Sequence, residues 1–266
     1  MDSNYETLEI ERSGAVATIW MNRPTVFNAF DEQLIADLGA ACRALDADSA
    51  VRVVVLAGRG KHFSAGADLN WMQRASGYSE AENEADARAF AGMLLTLSGM
   101  SKPTIARVQG AALGGGTGLT AACDMAVATE DALFSTSEAR FGIIPAVISP
   151  YVLRAIGPRN ALRYFQSAER IKAAQAREIG LVNEVVPADQ IDAGIAALVE
   201  PLLASGPGAQ RAAKDLIGAI HGRPIDQETG NETARRIARQ RATDEAKDGI
   251  AAFLEKRPPQ WIAGSD

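Results

Sequence analysis

The chain has 266 residues, 47% hydrophobic and 23% charged, with a formal net charge of −6. That length can bury a full core, and the acidic balance disfavours non-specific attraction to nucleic acid or anionic membranes. No apolar run approaches the roughly 18 residues that span a bilayer. The polar opening MDSNYETLEIERSG has neither the apolar core of a signal peptide nor the basic pattern of a transit peptide. A reduced, cytoplasmic protein is expected. Cys42 and Cys123 both lie in apolar, helix-like runs. Without metal-ligand spacing or a disulfide framework, they read as buried small hydrophobes.

YETLEIER and AVATIW form an expected hairpin about the Ser13–Gly14 turn. Residues 31–47 place Leu34, Leu38, Cys42 and Leu45 at helical spacing, with Asp31 and Glu32 at the helix's positive end. VRVVVLAG is a continuous apolar run closed by glycine, as a buried strand should be. A helix is predicted over 81–97, then two more buried strands in TIARVQG and DMAVATE. From about Ser149 helices dominate. NALRYFQSAERI and KAAQAREIGL precede a short strand stopped by Pro187, and helical stretches follow at 189–204, 209–220 and 226–254, the last broken. The division expected is a core over 1–200 and a helical extension over 201–266, ending in the polar tail RPPQWIAGSD.

Two segments follow buried strands and can present backbone N–H groups: Gly60–Leu69 (GKHFSAGADL) and Gly110–Leu119 (GAALGGGTGL). Preorganised amides suit a carbonyl oxygen that gains negative charge, and losing one donor has cost roughly 3–4 kcal/mol of transition-state stabilisation. Glycine allows close approach and φ values closed to other residues, and the next helix aims its positive end at whatever binds. Each loop alone reads equally as a tight strand-to-helix turn. GGGTGL lacks the G-x-G-x-x-G register and the Lys-Ser/Thr ending of a P-loop.

Together the motifs resemble the crotonase superfamily, the enoyl-CoA hydratase/isomerase fold. They are AGAD at Ala65–Asp68, ALGGG at Ala112–Gly116, ACD at Ala122–Asp124, NRP at Asn22–Pro24, SEARFGIIP at Ser137–Pro145, AREIGLVNEVVP at Ala176–Pro187 and FLEKRPPQW at Phe253–Trp261. The likeness spans nearly the whole chain. It implies an α/β fold, a spiral of β-β-α turns with a C-terminal helical trimerisation region, and assembly as a homotrimer or a hexamer of paired trimers. It also implies an acyl-CoA substrate, coenzyme A being part of the substrate, with no separate cofactor.

By the same resemblance, the thioester oxygen sits between the N–H groups of Ala67 and Gly115, where an enolate is stabilised. Ala65, Asp68 and Gly114 belong to the same substrate-binding motifs. Lys61 matches a position near the CoA adenine and phosphates, Arg23 one near the pantetheine or phosphates, and Phe253 and Lys256 a pair that reaches a neighbouring subunit's CoA. For the lysines the plain alternative is a solvated surface amine. Two-glutamate hydratases carry their first carboxylate where this chain has Gly118, and their second at Glu138. Glycine transfers no proton, so Glu138 is the acid/base candidate, and the volume freed beside Gly118 is expected to admit a water, a small anion or a substrate branch. The IIPAVISPYV segment replaces a glycine-rich stretch and is expected to wall the acyl pocket.

The likeness runs closest to bacterial single-glutamate hydratases acting on methylglutaconyl-CoA or carboxygeranoyl-CoA, and Arg74 and Arg88 are candidates to meet a distal carboxylate. The readings in order are an enoyl-CoA hydratase, a double-bond isomerase using Glu138 as proton shuttle, and a non-catalytic scaffold. G-x-S-x-G is absent and no carboxylate/histidine spacing suggests a metal, so a metal-free enzyme is expected, with no nucleic-acid or membrane partner.

Overall fold

The computed structural model describes residues 5–263, so 1–4 of the opening segment and 264–266 of the tail lie outside the described residues. Among the described residues, nine strands form two sheets. In the larger, β1 (Leu8–Ser13), β2 (Val16–Met21), β3 (Val53–Gly58), β4 (Thr104–Val108), β6 (Met125–Thr129) and β9 (Glu184–Val186) lie side by side in that order. The smaller has β5 (Ala111–Leu113), β7 (Leu133–Ser135) and β8 (Ile171–Lys172). The hairpin β1–β2 is antiparallel and turns at Gly14–Ala15, with Gly14 at φ +56, one residue beyond the Ser13–Gly14 centre expected. From β2 to β9 the large sheet is parallel.

Strands β2, β3, β4 and β6 each run into a short second strand or bridge before the chain returns through a helix. Phe30 bridges Ala67, Ser64 bridges Ala112, and β5 pairs with β7. These rungs stack from one turn to the next, which makes the chain a spiral of β-β-α turns. Helices α1 (Glu32–Ala47), α2 (Leu69–Ala75), α3 (Glu80–Ser98), α4 (Gly115–Ala122) and α5 (Ser149–Ser167) follow successive rungs. Beyond them lie α6 (Ala173–Glu178), α7 (Ile191–Ala204), α8 (Pro207–Ile220), α9 (Gln227–Arg241), α10 (Asp244–Glu255) and α11 (Gln260–Ala263).

Alternation along the strands gives the large sheet two apolar faces. Ile19, Met21, Val54, Leu56, Ala106 and Val108 pack with α1, α3 and α4. Val53, Val55, Ile105 and Val127 pack beneath α7 through Ile191, Ile195 and Leu198. Burial on both faces explains why β3 reads as an unbroken apolar run. Asp31 caps α1 by accepting from Leu34 N at 2.9 Å, and Ser79 with Glu82 forms a capping box on α3, so the sequence limits of both helices were set by local polar chemistry.

Helix α5 begins earlier than the sequence suggests and is kinked. Gly157 takes φ 71 and ψ 165, and Pro158 opens the second half, where its missing N–H costs no helix bond. The stretch over 226–254 breaks between α9 and α10 at Ala242–Thr243, with Thr243 capping α10. Both cysteines are free and buried, and burial pushes the Cys42 thiol up to about 12 and raises Cys123 as well. No helix among the described residues is long and apolar enough to cross a membrane.

Candidate active site

The loop after β3 carries Ala67. Phe30 N donates to Gly66 O at 2.7 Å and Asp68 N donates to Phe30 O at 2.8 Å. A parallel bridge uses the groups on either side of Ala67, so the Ala67 N–H points the other way. It has no protein acceptor among the described residues, and Ala67 is exposed. Gly66 takes φ +91, and an added Cβ there would stand 2.9 Å from Leu113 O and 3.8 Å from Gly114 N. The loop therefore lies directly against the end of β5.

Gly115 is the first residue of α4, where backbone N–H groups have no partner within the helix. Gly114 precedes it at φ 49, donating to Ser135 O at 2.7 Å. A side chain at Gly115 would strike the Phe30 and Phe90 rings, at 2.9 and 3.0 Å. Thr117 is fully buried and stitches α4 to both short strands: its hydroxyl reaches Ala112 O at 2.7 Å and accepts from Ser135 N at 3.2 Å. The threonine after the three glycines is thus a structural clamp.

Glu138 opens a short 3-10 turn, Glu138–Phe141. Its Oε1 lies 3.3 Å from where a Cβ on Gly114 would stand. Its Oε2 is buried with no hydrogen-bond partner. Burial pushes this carboxyl above the ordinary glutamate value, against a smaller lowering by its own backbone amide. The two free amides and the carboxylate are gathered around Gly114 by three separate spiral turns.

Gly118 does not open the expected space. A Cβ there would fall 2.2 Å from Ile148 Cγ2 and 2.8 Å from Ile148 Cβ. Ile148, from the IIPAVISPYV segment, fills the position itself and is only 2% exposed. That segment was expected to wall the acyl pocket; what the structure shows of it is Ile148 packed on α4.

Arg23 and Asp68 are braces. The Arg23 guanidinium lies 2.7 Å from Asp31, 3.2 Å from Asp68 and against Ala29 O. Asp68 also caps α2 by accepting from Asn70 N at 2.9 Å. Each of these side chains holds the strand-to-helix junctions and is committed to protein partners. Ala65 N donates to Phe27 O at 2.9 Å. Lys61 lines a different cavity of about 400 Å³ with Trp20, Arg59, Arg107 and Thr129. Phe253 and Lys256 stand exposed at the end of α10, which packs on α9 and α11. Arg74 pairs with Glu32 at 2.7 Å and Arg88 with Glu84, so neither is a free cation for a distal carboxylate.

Asn28 was not singled out by its sequence context. It is fully buried at φ 55, beside Phe27 at φ 55. Its side chain donates to Arg59 O and His62 O, each at 2.9 Å, and accepts from Arg23 N at 2.9 Å. Its carbonyl accepts from Ser64 Oγ at 2.8 Å, and Ser64 Oγ in turn accepts from Gly66 N at 3.3 Å. Asparagine tolerates this left-handed backbone better than most residues, and here it ties the Ala67 loop to the first turn of the spiral. Asn28→Ala strands two carbonyls and strains the turn, so denaturant unfolding should show a loss of about 2–4 kcal/mol; a loss below half of that range would contradict this role.

The family model for enoyl-CoA hydratase/isomerase matches residues 11–264. This chain belongs to that family. Crotonyl-CoA hydratase of Syntrophomonas wolfei is 32% identical over 97% of this chain and 99% of its own. The 2,3-dehydroadipyl-CoA hydratase of Escherichia coli is 32% identical over 96% of this chain and 98% of its own. Among solved structures, an enoyl-CoA hydratase from Shewanella pealeana matches with a TM-score of 0.95 at 40% identity, covering 98% of this chain and 97% of its own. The spiral core and C-terminal helices of this crotonase-superfamily member are those its motifs imply.

Proposed function

We propose that this protein adds water across the 2,3 double bond of an enoyl-CoA thioester, with Glu138 as the acid/base group. The observation that carries the reading is the buried Glu138 carboxylate, one oxygen unpartnered, beside two unpaired amides on the Gly66–Ala67 loop and at the start of α4. The thioester oxygen is held by the Ala67 and Gly115 N–H groups. Glu138 takes a proton from water as its oxygen bonds to C3. The electron pair of the double bond moves through C2 onto the thioester oxygen, and the two amides stabilise the resulting enolate. Glu138 then returns the proton to C2. A carboxyl raised by burial is better matched to both transfers near neutral pH than an exposed one.

A second reading is favoured by one specific observation. Ile148 occupies the place a side chain at position 118 would need, so Glu138 is the one carboxylate left of the two-glutamate pattern, and one carboxylate is enough to shuttle a proton between C2 and C4 in a double-bond isomerase. Incubating a 2-enoyl-CoA and a 3-enoyl-CoA separately, and weighing the products, separates the two. Hydration predicts 3-hydroxyacyl-CoA from the 2-enoyl substrate. Conversion of the 3-enoyl substrate to its 2-enoyl isomer, with no hydrated product from either, would replace hydratase by isomerase.

For the acyl group, the likeness of GGGTGL and SEARFGIIPAVISPYV supports a branched or carboxylated substrate. The paired state of Arg74 and Arg88, with Phe141, Ile143 and Ile144 exposed just beyond Glu138, favours the branched hydrocarbon. Lys61 on the CoA phosphates, Phe253 and Lys256 on a neighbour's CoA, trimeric or hexameric assembly, a cytoplasmic setting and the lack of any cofactor or metal are further parts of this proposal.

A further inference from the structure

We propose that Ile148 closes position 118 to every side chain and so holds the site to one carboxylate. The inference rests on the hydration reading for its chemistry, but its geometry stands apart from it. The clash at Gly118 involves Ile148 Cγ2 at 2.2 Å and its Cβ at 2.8 Å. A Cβ is fixed to the backbone, so no rotamer change relieves the second contact. The backbone is fixed too. Ile148 is the N-cap of α5, its carbonyl accepts from Tyr151 N at 3.2 Å and Val152 N at 3.1 Å, and Pro150 stands in the first turn. On the other side, Gly118 N donates to Gly114 O at 3.1 Å inside α4, the helix whose first residue presents the Gly115 amide. Neither element is free to withdraw.

Gly118 is therefore a packing requirement as well as a missing acid. Carboxylate count at this site is set by two residues together, one on α4 and one thirty positions later. With Ile148 in place, no side chain at position 118 can supply a second carboxylate. Reaction at C2 and C3 then depends on one proton-transfer group. The pair also specifies how a second carboxylate is installed. Ile148→Ala is insufficient because it leaves the Cβ 2.8 Å from the new side chain. Ile148→Gly leaves only the Cα, at 3.8 Å, an ordinary contact, and glycine is tolerated at a helix N-cap.

The test is a melting cycle on the full chain with Gly118→Glu, Ile148→Gly and the double variant, followed by kcat/KM against pH on crotonyl-CoA. Gly118→Glu alone should melt about 5 °C or more below the parent. The double variant should melt above Gly118→Glu, although it carries a second destabilising change, because the new side chain takes the volume that Ile148 leaves. Its pH profile should show an ionisation that the parent lacks. A double variant that melts no higher than Gly118→Glu, or a Gly118→Glu protein that melts with the parent, would overturn the closure. An extra ionisation already present in Gly118→Glu would overturn it too. A parent that forms no hydrated product would instead remove the hydration reading, while the melting cycle still decides whether Ile148 closes position 118.

Discussion

Glu138→Gln should lower kcat for hydration by about 10²–10⁴-fold while moving KM little, because the amide keeps the shape but neither accepts nor returns a proton at neutral pH. Steady-state kinetics on crotonyl-CoA reads this directly. The same variant carries a stability signature. Burial raises the Glu138 pKa in the folded state, so the native protein holds a proton that the unfolded chain has already released. Below the unfolded value both states are protonated and the group costs nothing. As pH rises from there through the raised folded value, native stability falls relative to a non-titrating residue, and the penalty then levels off. The Tm of Glu138→Gln should therefore gain on that of the parent as pH rises from the ordinary glutamate value through the raised folded value. A gap that narrows over this interval would mean that the carboxylate is stabilised by a partner in the fold.

Gly66→Ala should cost about 10²–10³-fold in kcat, the loss associated with one donor to an oxyanion. The physical reason is positional. Alanine at φ +91 is strained, and its methyl group would lie 2.9 Å from Leu113 O, so the loop must swing and carry the adjacent Ala67 N–H off the oxygen. Because the change removes no proton-transfer group, the position of the pH profile should stay that of the parent. Circular dichroism and analytical ultracentrifugation establish that the variant is folded and assembled as the parent is. A folded variant with parental kcat would show that this amide does not hold the thioester oxygen.

Much of this architecture was legible in the sequence because its signals are local. The α1 boundary follows from Asp31 and the apolar spacing behind it. Strands β3, β4 and β6 read as apolar runs because both faces of the large sheet are covered. The same locality hid β5 and β7. Three residues show no alternation, and β5 lies inside a stretch dominated by glycine. Their pairing is fixed by the stacking of spiral turns and by the Thr117 clamp.

The site divides in the same way. Glu138, AGAD and GGG were visible as motifs, and the structure adds that they converge on Gly114. Ile148 against Gly118 was not visible, since the contact joins segments thirty residues apart and an isoleucine in an apolar loop has many possible neighbours. The sequence instead suggested an open space where the fold places a side chain. Arg23 and Asp68 looked like ligand contacts because they sit in the right motifs. Their charges are used to brace the junctions on which Ala67 depends. Asn28 lacked any signal beyond the polar residue after Phe27, because a demand for left-handed φ is not written in hydrophobic periodicity.

The most direct measurement is product analysis in oxygen-18 water with a 2-enoyl-CoA, for the parent and for Glu138→Gln. One heavy oxygen should enter the product at C3 with the parent, at a rate that Glu138→Gln lowers by at least about a hundredfold. Incorporation by Glu138→Gln within about threefold of the parent would show that some other group moves the proton.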